Sequence, residues 1–244
     1  MLSAQQLMNL WDDCAMQSPL ERALHVLAAA YPEESLQSVA ALSVGDRDSR
    51  LLKLREALWG SQMAAVVRCS SCHERLDVTL DIRELLADCA STRSEEMTIC
   101  VSGYSVTFRV PTTLDVLAAA GRSNVEACRG VILQRCLLRA HPQTGPEEGA
   151  PAPLPSEVIE TVIQRMAEVD PLANIELRLT CPSCSQEGRH IFDIVSFLWT
   201  EIEAWAPRMA ADVHVLASAY GWDERAILGL SPARRQMYLD MVRA

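Results

Sequence analysis

Apolar residues along this chain recur mostly at the three- and four-residue spacing of a helix face, interrupted by short stretches of alternation. Leu2, Leu7, Leu10 and Trp11 open one helical face; Leu20, Leu24, Leu27 and Ala28 form a second, with Pro19 near its start. Tyr31 and Pro32 break the pattern, and Leu36, Val39 and Ala40 predict one further short turn. From Asp46 to Trp59 an amphipathic helix is expected, with Leu51, Leu54, Arg55 and Leu58 on one side, Asp48 as its cap and Gly60 as its stop. Ala64 to Arg68 reads as a short strand, and Arg75 to Leu80 alternates with period two, which predicts a β-hairpin followed by a helix from Ile82. A second hairpin is expected from Met97 to Val110 about a Ser102–Gly103 turn. Thr112 or Thr113 then caps a helix carrying Leu114, Leu117 and Ala118, and 124–139 reads as one more helix.

The stretch 141–156, HPQTGPEEGAPAPLPS, is the strong linker signal of the chain. Beyond it Ser156 caps a helix with Val158, Ile159, Val162, Ile163 and Met166 on its apolar side, ended by Asp170 and Pro171. Ile175, Leu177 and Leu179 alternate with Glu176 and Arg178 as a half-buried strand does, and 189–192 is its returning partner. A long stripe follows through Ile194, Leu198, Ile202, Trp205, Met209, Val213, Leu216 and Tyr220. Pro207 lies inside it and predicts a kink or break near Ala206. Gly221 ends the stripe, 223–228 is a brief helix, and Ser231–Pro232 starts a last one with Tyr238, Met241 and Val242 facing inward. The expected fold class is therefore α+β and mostly helical, with residues 1–140 as one unit, 141–156 as linker and 157–244 as a second.

Two of the predicted hairpin turns carry the same chemistry: RCSSC, with Cys69 and Cys72, and TCPSC, with Cys181 and Cys184. An offset of 112 residues maps one pair onto the other, and also maps Asp81 onto Asp193, Ile82 onto Ile194, Leu86 onto Leu198 and Leu42 onto Leu154. A constant offset through a ligand motif and its flanks suggests two copies of one helix–hairpin–helix unit. Each turn supplies half of a tetrahedral thiolate site, so the leading expectation is one structural zinc shared by Cys69, Cys72, Cys181 and Cys184, joining the two units. Separate metals in each copy would need further ligands. His73 and His190 are the nearby imidazoles and do not correspond under the offset. A redox role is the other reading of a C-x-x-C pair, but reactive thiolates of that kind sit at a helix N-terminus, whereas here extended sequence comes after both pairs. Cysteines that simply pack remain a further reading.

Composition narrows the field. The chain has 244 residues and a formal net charge of -10, from 32 acidic and 22 basic side chains, without a dense basic block. Nucleic acid is therefore not an expected partner. No run of 18 apolar residues and no leader pattern occurs, so neither a membrane span nor secretion is expected. Nine cysteines, an odd number in a chain this long, fit reduced thiols in the cytoplasm better than a disulfide scaffold. None of the common catalytic or phosphate-binding motifs is present, and an enzyme is not expected. The acidic pairs Glu33–Glu34, Glu95–Glu96 and Glu147–Glu148 read as solvated, and Glu201 and Glu203 as polar-side residues of the long helix. Trp199, off the centre of the long stripe, is the candidate interface anchor if it is not core.

In combination, TCPSC, FDIVSFLWTEIEAWA and YGWDERAILGLSPARRQMYLDMV resemble the baseplate hub assembly chaperone family of contractile-tailed, T-even-like phages and related phage-like clusters in bacterial genomes. The resemblance is strongest over 154–243. It is looser over 20–120, where RCSSC, Asp81–Ile82 and VPTTLDVLAAAG carry it. It implies a non-enzymatic cytoplasmic factor that binds baseplate hub or spike proteins, with self-association left open. It implies zinc-ligand roles for the four cysteines and fold-and-docking roles for Phe192, Asp193, Trp199, Trp205, Ser231, Pro232, Arg235 and Tyr238. A permanent baseplate subunit, a zinc-containing nucleic-acid regulator and a thiol oxidoreductase are the competing functions.

Overall fold

Serine starts each of the first four helices. Ser3, Ser18, Ser35 and Ser43 precede α1 (Ala4–Asp13), α2 (Pro19–Ala30), α3 (Leu36–Ala40) and α4 (Val44–Trp59), and each hydroxyl accepts the backbone N–H three residues on. A cap of this kind contributes about 1 kcal/mol. The cap of α4 is thus Ser43, not Asp48. Asp48 lies one turn inside the helix, buried, and accepts from Arg47 Nε at 2.7 Å.

The computed structural model describes residues 2–87, 96–143 and 154–243. After α4 the chain forms β1 (Gln62–Arg68), β2 (Arg75–Asp81), α5 (Ile82–Ala87), β3 (Met97–Val101), β4 (Tyr104–Phe108), α6 (Thr113–Ala119), α7 (Val125–Cys136) and β5 (Leu137–Pro142). It continues with α8 (Ser156–Val169), a 3-10 turn (Pro171–Asn174), β6 (Ile175–Thr180), β7 (Glu187–Phe192), α9 (Ile194–Tyr220), α10 (Glu224–Leu228) and α11 (Pro232–Arg243). The architecture is mixed helix and small sheet, an α+β fold. β1 pairs with β2 and β6 with β7, each an antiparallel hairpin, while β3, β4 and β5 form an antiparallel sheet in that order.

The strand β5 departs from the expected helix over 124–139. Leu137 to Pro142 pair with β4, from Phe108↔Leu137 to Tyr104↔Pro142, and Arg109 N–H bonds Cys136 O at 3.0 Å. A free strand edge there overrides the local helical spacing. Of the expected linker, 144–153 lies outside the described residues, as do Cys89, Glu95 and the Glu147–Glu148 pair.

The main core draws on both sides of that stretch. Leu24, Leu27 and Val39 join Leu51, Leu52, Met63 and Ile82 from the first part, and Ile175, Phe192, Ile194, Leu198 and Ile202 from the second. A smaller core under the β3–β4–β5 sheet joins Val106, Phe108 and Cys136 to Val158, Val162 and Met166 of α8. α9 is the central element. Its 27 residues span about 40 Å, and α1, α2, α4, α10 and α11 all pack on it. It runs unbroken through Pro207. The missing N–H costs about 3 kcal/mol in an isolated helix; here burial of Ile202, Ala206 and Met209 on either side of the proline offsets it.

Polar contacts fix how these layers meet. Arg55, on the buried face of α4, donates to both carboxylate oxygens of Glu201 on α9 at 2.9 and 2.7 Å, and to the carbonyls of Gly60 and Gln62. Asp170 accepts the Gly45 N–H at 3.0 Å. A Cβ on Gly45 would lie 1.8 Å from Asp170 Oδ1, so only glycine allows that approach. Asp115 receives Arg109 and Arg135 and also the Thr112 N–H. Burial alone would raise its pKa, but these donors hold it well below the ordinary carboxylate range.

Of two expectations about helix faces, one holds and one does not. Trp199 is buried, its Nε1 donates to Glu203 at 2.6 Å, and the Arg22 guanidinium lies 4.5 Å above its ring, so it is a core residue and no free anchor. In α11 the inward residues are Arg235 and Leu239, whereas Met241 and Val242 are exposed.

Candidate metal centre

β1 and β6 each deliver a cysteine into a tight turn. Cys69 N–H donates to Glu74 O at 2.9 Å and His73 N–H returns to Cys69 O at 3.0 Å. In the other hairpin Cys181 N–H donates to Gln186 O at 3.0 Å and Ser185 N–H to Cys181 O at 2.8 Å. His73 (φ 61°) and Ser185 (φ 58°) both adopt the left-handed conformation that closes the turn. These contacts and the strand registers superimpose under the same offset: Met63↔Leu80 corresponds to Ile175↔Phe192 and Arg68↔Arg75 to Thr180↔Glu187. Asp81 then accepts the Arg83 N–H at 2.9 Å, and Asp193 the Val195 N–H at 3.0 Å, as α5 and α9 begin.

The two turns meet. Cys69 Sγ lies 3.7 Å from Cys184 Sγ, and Cys72 Sγ 3.6 Å from Cys181 Sγ. All four sulfurs fall within 4.8 Å of one another. Four thiolates around an ion at about 2.3 Å would be separated by about 3.8 Å along each edge of the tetrahedron. The cluster is therefore near the size of a closed metal shell and too open for a disulfide, whose sulfurs lie about 2.05 Å apart; all four cysteines are free. Cys69 and Cys181 are buried and Cys72 and Cys184 exposed, with Leu76 and Val78 packed beside the inner pair.

The electrostatics favour a cation. Backbone N–H groups of Cys72 and Ser71 point at the Cys69 sulfur and hold its thiol down at about 6. Cys72 receives the Glu74 N–H, which acts in the same direction, but partial desolvation of its sulfur within the cluster and the three neighbouring sulfurs push it up to about 12. One thiolate thus forms easily and suppresses the next. A cation at the centre would remove that conflict and let all four ionise. The four cysteines are compatible with a metal site, and four thiolates leave no open coordination position. His73 and His190 are not in the cluster. α5 and α9 start ten residues after Cys72 and Cys184, so neither pair sits at a helix N-terminus.

Residues 15–134 match the family described as T4 bacteriophage base plate protein. No curated protein and no solved structure matches the chain. The matched stretch supports a phage baseplate protein. It lies in the half where the sequence resemblance was the looser one, and it contains Cys69 and Cys72 but neither Cys181 nor Cys184.

The remaining expected docking residues do not gather at the sulfurs. Phe192 packs at 5.4 Å from Phe197 in the core and Asp193 caps α9. Arg235 faces Asp212 at 3.7 Å, and Tyr238 stacks edge-on with Tyr220 and Trp222 beyond the other end of α9. Ser231 Oγ accepts the Arg234 N–H at 3.4 Å, at the Pro232 start of α11. Sequence reasoning missed the Arg55–Glu201 tie. The one available signal was an arginine on an otherwise apolar helix face.

Proposed function

We propose that this chain is a non-enzymatic assembly factor for the baseplate hub of a contractile phage tail or related injection apparatus. It acts in the cytoplasm where such tails are built and binds other baseplate proteins, of which hub or spike proteins are the named candidates. The observation that carries the reading is the match of residues 15–134 to a phage baseplate family. The resemblance of 154–243 to hub assembly chaperones narrows the family to an assembly role. A structural zinc held by Cys69, Cys72, Cys181 and Cys184 is part of the proposal. It would cross-link two copies of one helix–hairpin–helix unit, and the equal registers and turns of the two hairpins support it.

A retained baseplate subunit is the second reading, favoured equally by the family match. Quantifying the chain in purified mature particles separates the two. An assembly factor is absent or far below stoichiometric, and its presence at the copy number of a baseplate component would overturn the proposal.

A further inference from the structure

We propose that the four-sulfur cluster is also an oxidation site, at which a hydroperoxide makes two disulfides that cross between the hairpins, Cys69–Cys184 and Cys72–Cys181. The proposal goes beyond metal binding. It rests on the cluster and not on the assembly role.

Burial and distance sort the four sulfurs into these two pairs. In each turn the first cysteine is inside and the second outside: Cys69 is 4% and Cys181 1% exposed, whereas Cys72 and Cys184 lie at the surface. The approaches across the hairpins couple one of each kind, Cys184 Sγ with Cys69 Sγ at 3.7 Å and Cys72 Sγ with Cys181 Sγ at 3.6 Å. An oxidant in solution reaches the outer sulfur. The inner sulfur needs no such access, because its target is the neighbour already in contact with it. An accessible thiolate beside a resolving one is the arrangement that carries oxidation to a disulfide rather than to the sulfinic acid.

The Cys184 thiolate attacks one peroxide oxygen; an S–O bond forms, the O–O bond breaks and hydroxide leaves. The Cys69 thiolate then attacks the Cys184 sulfur, the S–S bond forms, the S–O bond breaks and a second hydroxide leaves. Two electrons have passed from the sulfurs to the peroxide, and two protons from solvent turn the hydroxides into water. Cys72 and Cys181 consume a second peroxide in the same way. From 3.7 and 3.6 Å each pair closes to a bond of about 2.05 Å by moving about 1.6 Å, which small rotations of both side chains supply.

The pairing decides what oxidation does to the fold. Cys69 and Cys184 are 115 positions apart, and Cys72 and Cys181 are 109, so each bond ties one hairpin to the other. A disulfide within either C-x-x-C would close a turn that the Cys69–Glu74 and Cys181–Gln186 backbone bonds already hold. By loop closure the crossing bonds restrict the unfolded chain far more. A metal held by these thiolates would lose its donors on oxidation, yet the two hairpins would stay joined.

The test treats the full-length protein, as purified, with hydrogen peroxide, alkylates the remaining thiols and digests with trypsin. Cleavage after Arg68, Arg75, Arg178 and Arg189 places each pair of cysteines on its own peptide, 69–75 and 179–189. Expected is one species holding both peptides through two disulfides, whose partners are assigned by partial reduction, alkylation and fragmentation. Cys184→Ser should keep the Cys72–Cys181 bond and leave Cys69 alkylated. The oxidised chain should unfold at a higher urea concentration than the reduced, chelator-treated one. The proposal is overturned by the disulfides Cys69–Cys72 and Cys181–Cys184, or by a bond between the two inner sulfurs. Sulfinic or sulfonic acids in place of disulfides would also overturn it, as would an oxidised chain no more resistant to urea than the reduced, metal-free one. These outcomes are independent of particle stoichiometry and of whether zinc is bound on purification, so the assembly reading and its zinc fail or stand separately.

Discussion

The β1–β2 and β6–β7 hairpins share a turn, a register and a capping aspartate, yet the fold leans on them unequally. Both contribute an isoleucine to the main core at the start of the next helix, and Ile82 and Ile194 are fully buried there. Beyond those isoleucines they diverge. α5 has six residues and Ile82 is its one buried side chain, whereas α9 has 27 residues and buries eight. Four of its buried side chains, Ile194, Val195, Leu198 and Trp199, fall in its first six positions. The thiol turn is thus a local device set by a few backbone bonds, the same whether a short or a long helix comes after it. The contribution of each hairpin to the core depends instead on the length and surroundings of the helix it launches.

The most severe way to challenge the equivalence of the two turns is to remove one sulfur from each. Cys69→Ser and Cys181→Ser are expected to lower zinc content equally, from about one ion per chain to well under half, because each opens the same closed shell. Elemental analysis of the purified variants decides it. Full content in either would show that the two hairpins do not share an ion.

Leucines at corresponding positions sharpen the contrast beyond the turns. Leu198 is 2% exposed and Leu86 only half-buried. Leu198→Ala should cost about 2–5 kcal/mol and Leu86→Ala about 1 kcal/mol, read from urea midpoints. Equal losses would mean that α5 is as deeply engaged as α9. Glu201→Gln should cost about 2 kcal/mol by leaving the buried Arg55 guanidinium with a weaker partner on α9. A neutral result would show that the carbonyls of Gly60 and Gln62 hold Arg55 without it.

The smallest effect concerns the two capping aspartates. Asp81 sits among exposed groups and accepts Gln62 Nε2, whereas the charge of Asp193 acts on Asp48. Burial, opposed by Arg47 and aided by Asp193 and Asp170, pushes Asp48 up to about 6. A folded value above the unfolded one means that the contribution is full below about pH 4 and is lost as pH rises towards 6. Asp48→Asn should flatten that decline, read as a smaller change in urea midpoint between about pH 4 and about pH 7. Asp115 has the opposite sign, since its lowered value contributes above about pH 4 and is lost on acidification. An unchanged pH profile in Asp48→Asn would show that its carboxyl is better solvated than its burial implies.

Much of this organisation was legible along the chain because it is local. The alternation of Ile175, Leu177 and Leu179 and the stripe from Ile194 to Leu216 depend on neighbours within a turn or a strand. Two expected caps did not hold, since Ser43 replaces Asp48 at α4 and Ser156 is the first residue of α8, behind Pro155 and without a side-chain cap bond. The misread residues depend on distant partners. Leu137 to Pro142 form β5 because β4 offers an edge. Met241 and Val242 have the spacing of an inward face, but α9 takes Leu239 and Arg235 instead. Of the kink or break that Pro207 predicts, the break does not occur, and Ala206 and Met209 are buried on either side of it.

By itself the amino-acid sequence determined that two like turns exist, which side chains they present and how far apart along the chain they lie, since spacing and alternation are properties of a few consecutive residues. Only the tertiary structure decided that the four sulfurs come within 4.8 Å across more than a hundred residues, and that β1 and β7 face each other over an open cleft. Such meetings are set by the shared core beneath both hairpins, where Met63, Ile82, Ile175 and Ile194 are buried together, and no local pattern encodes them.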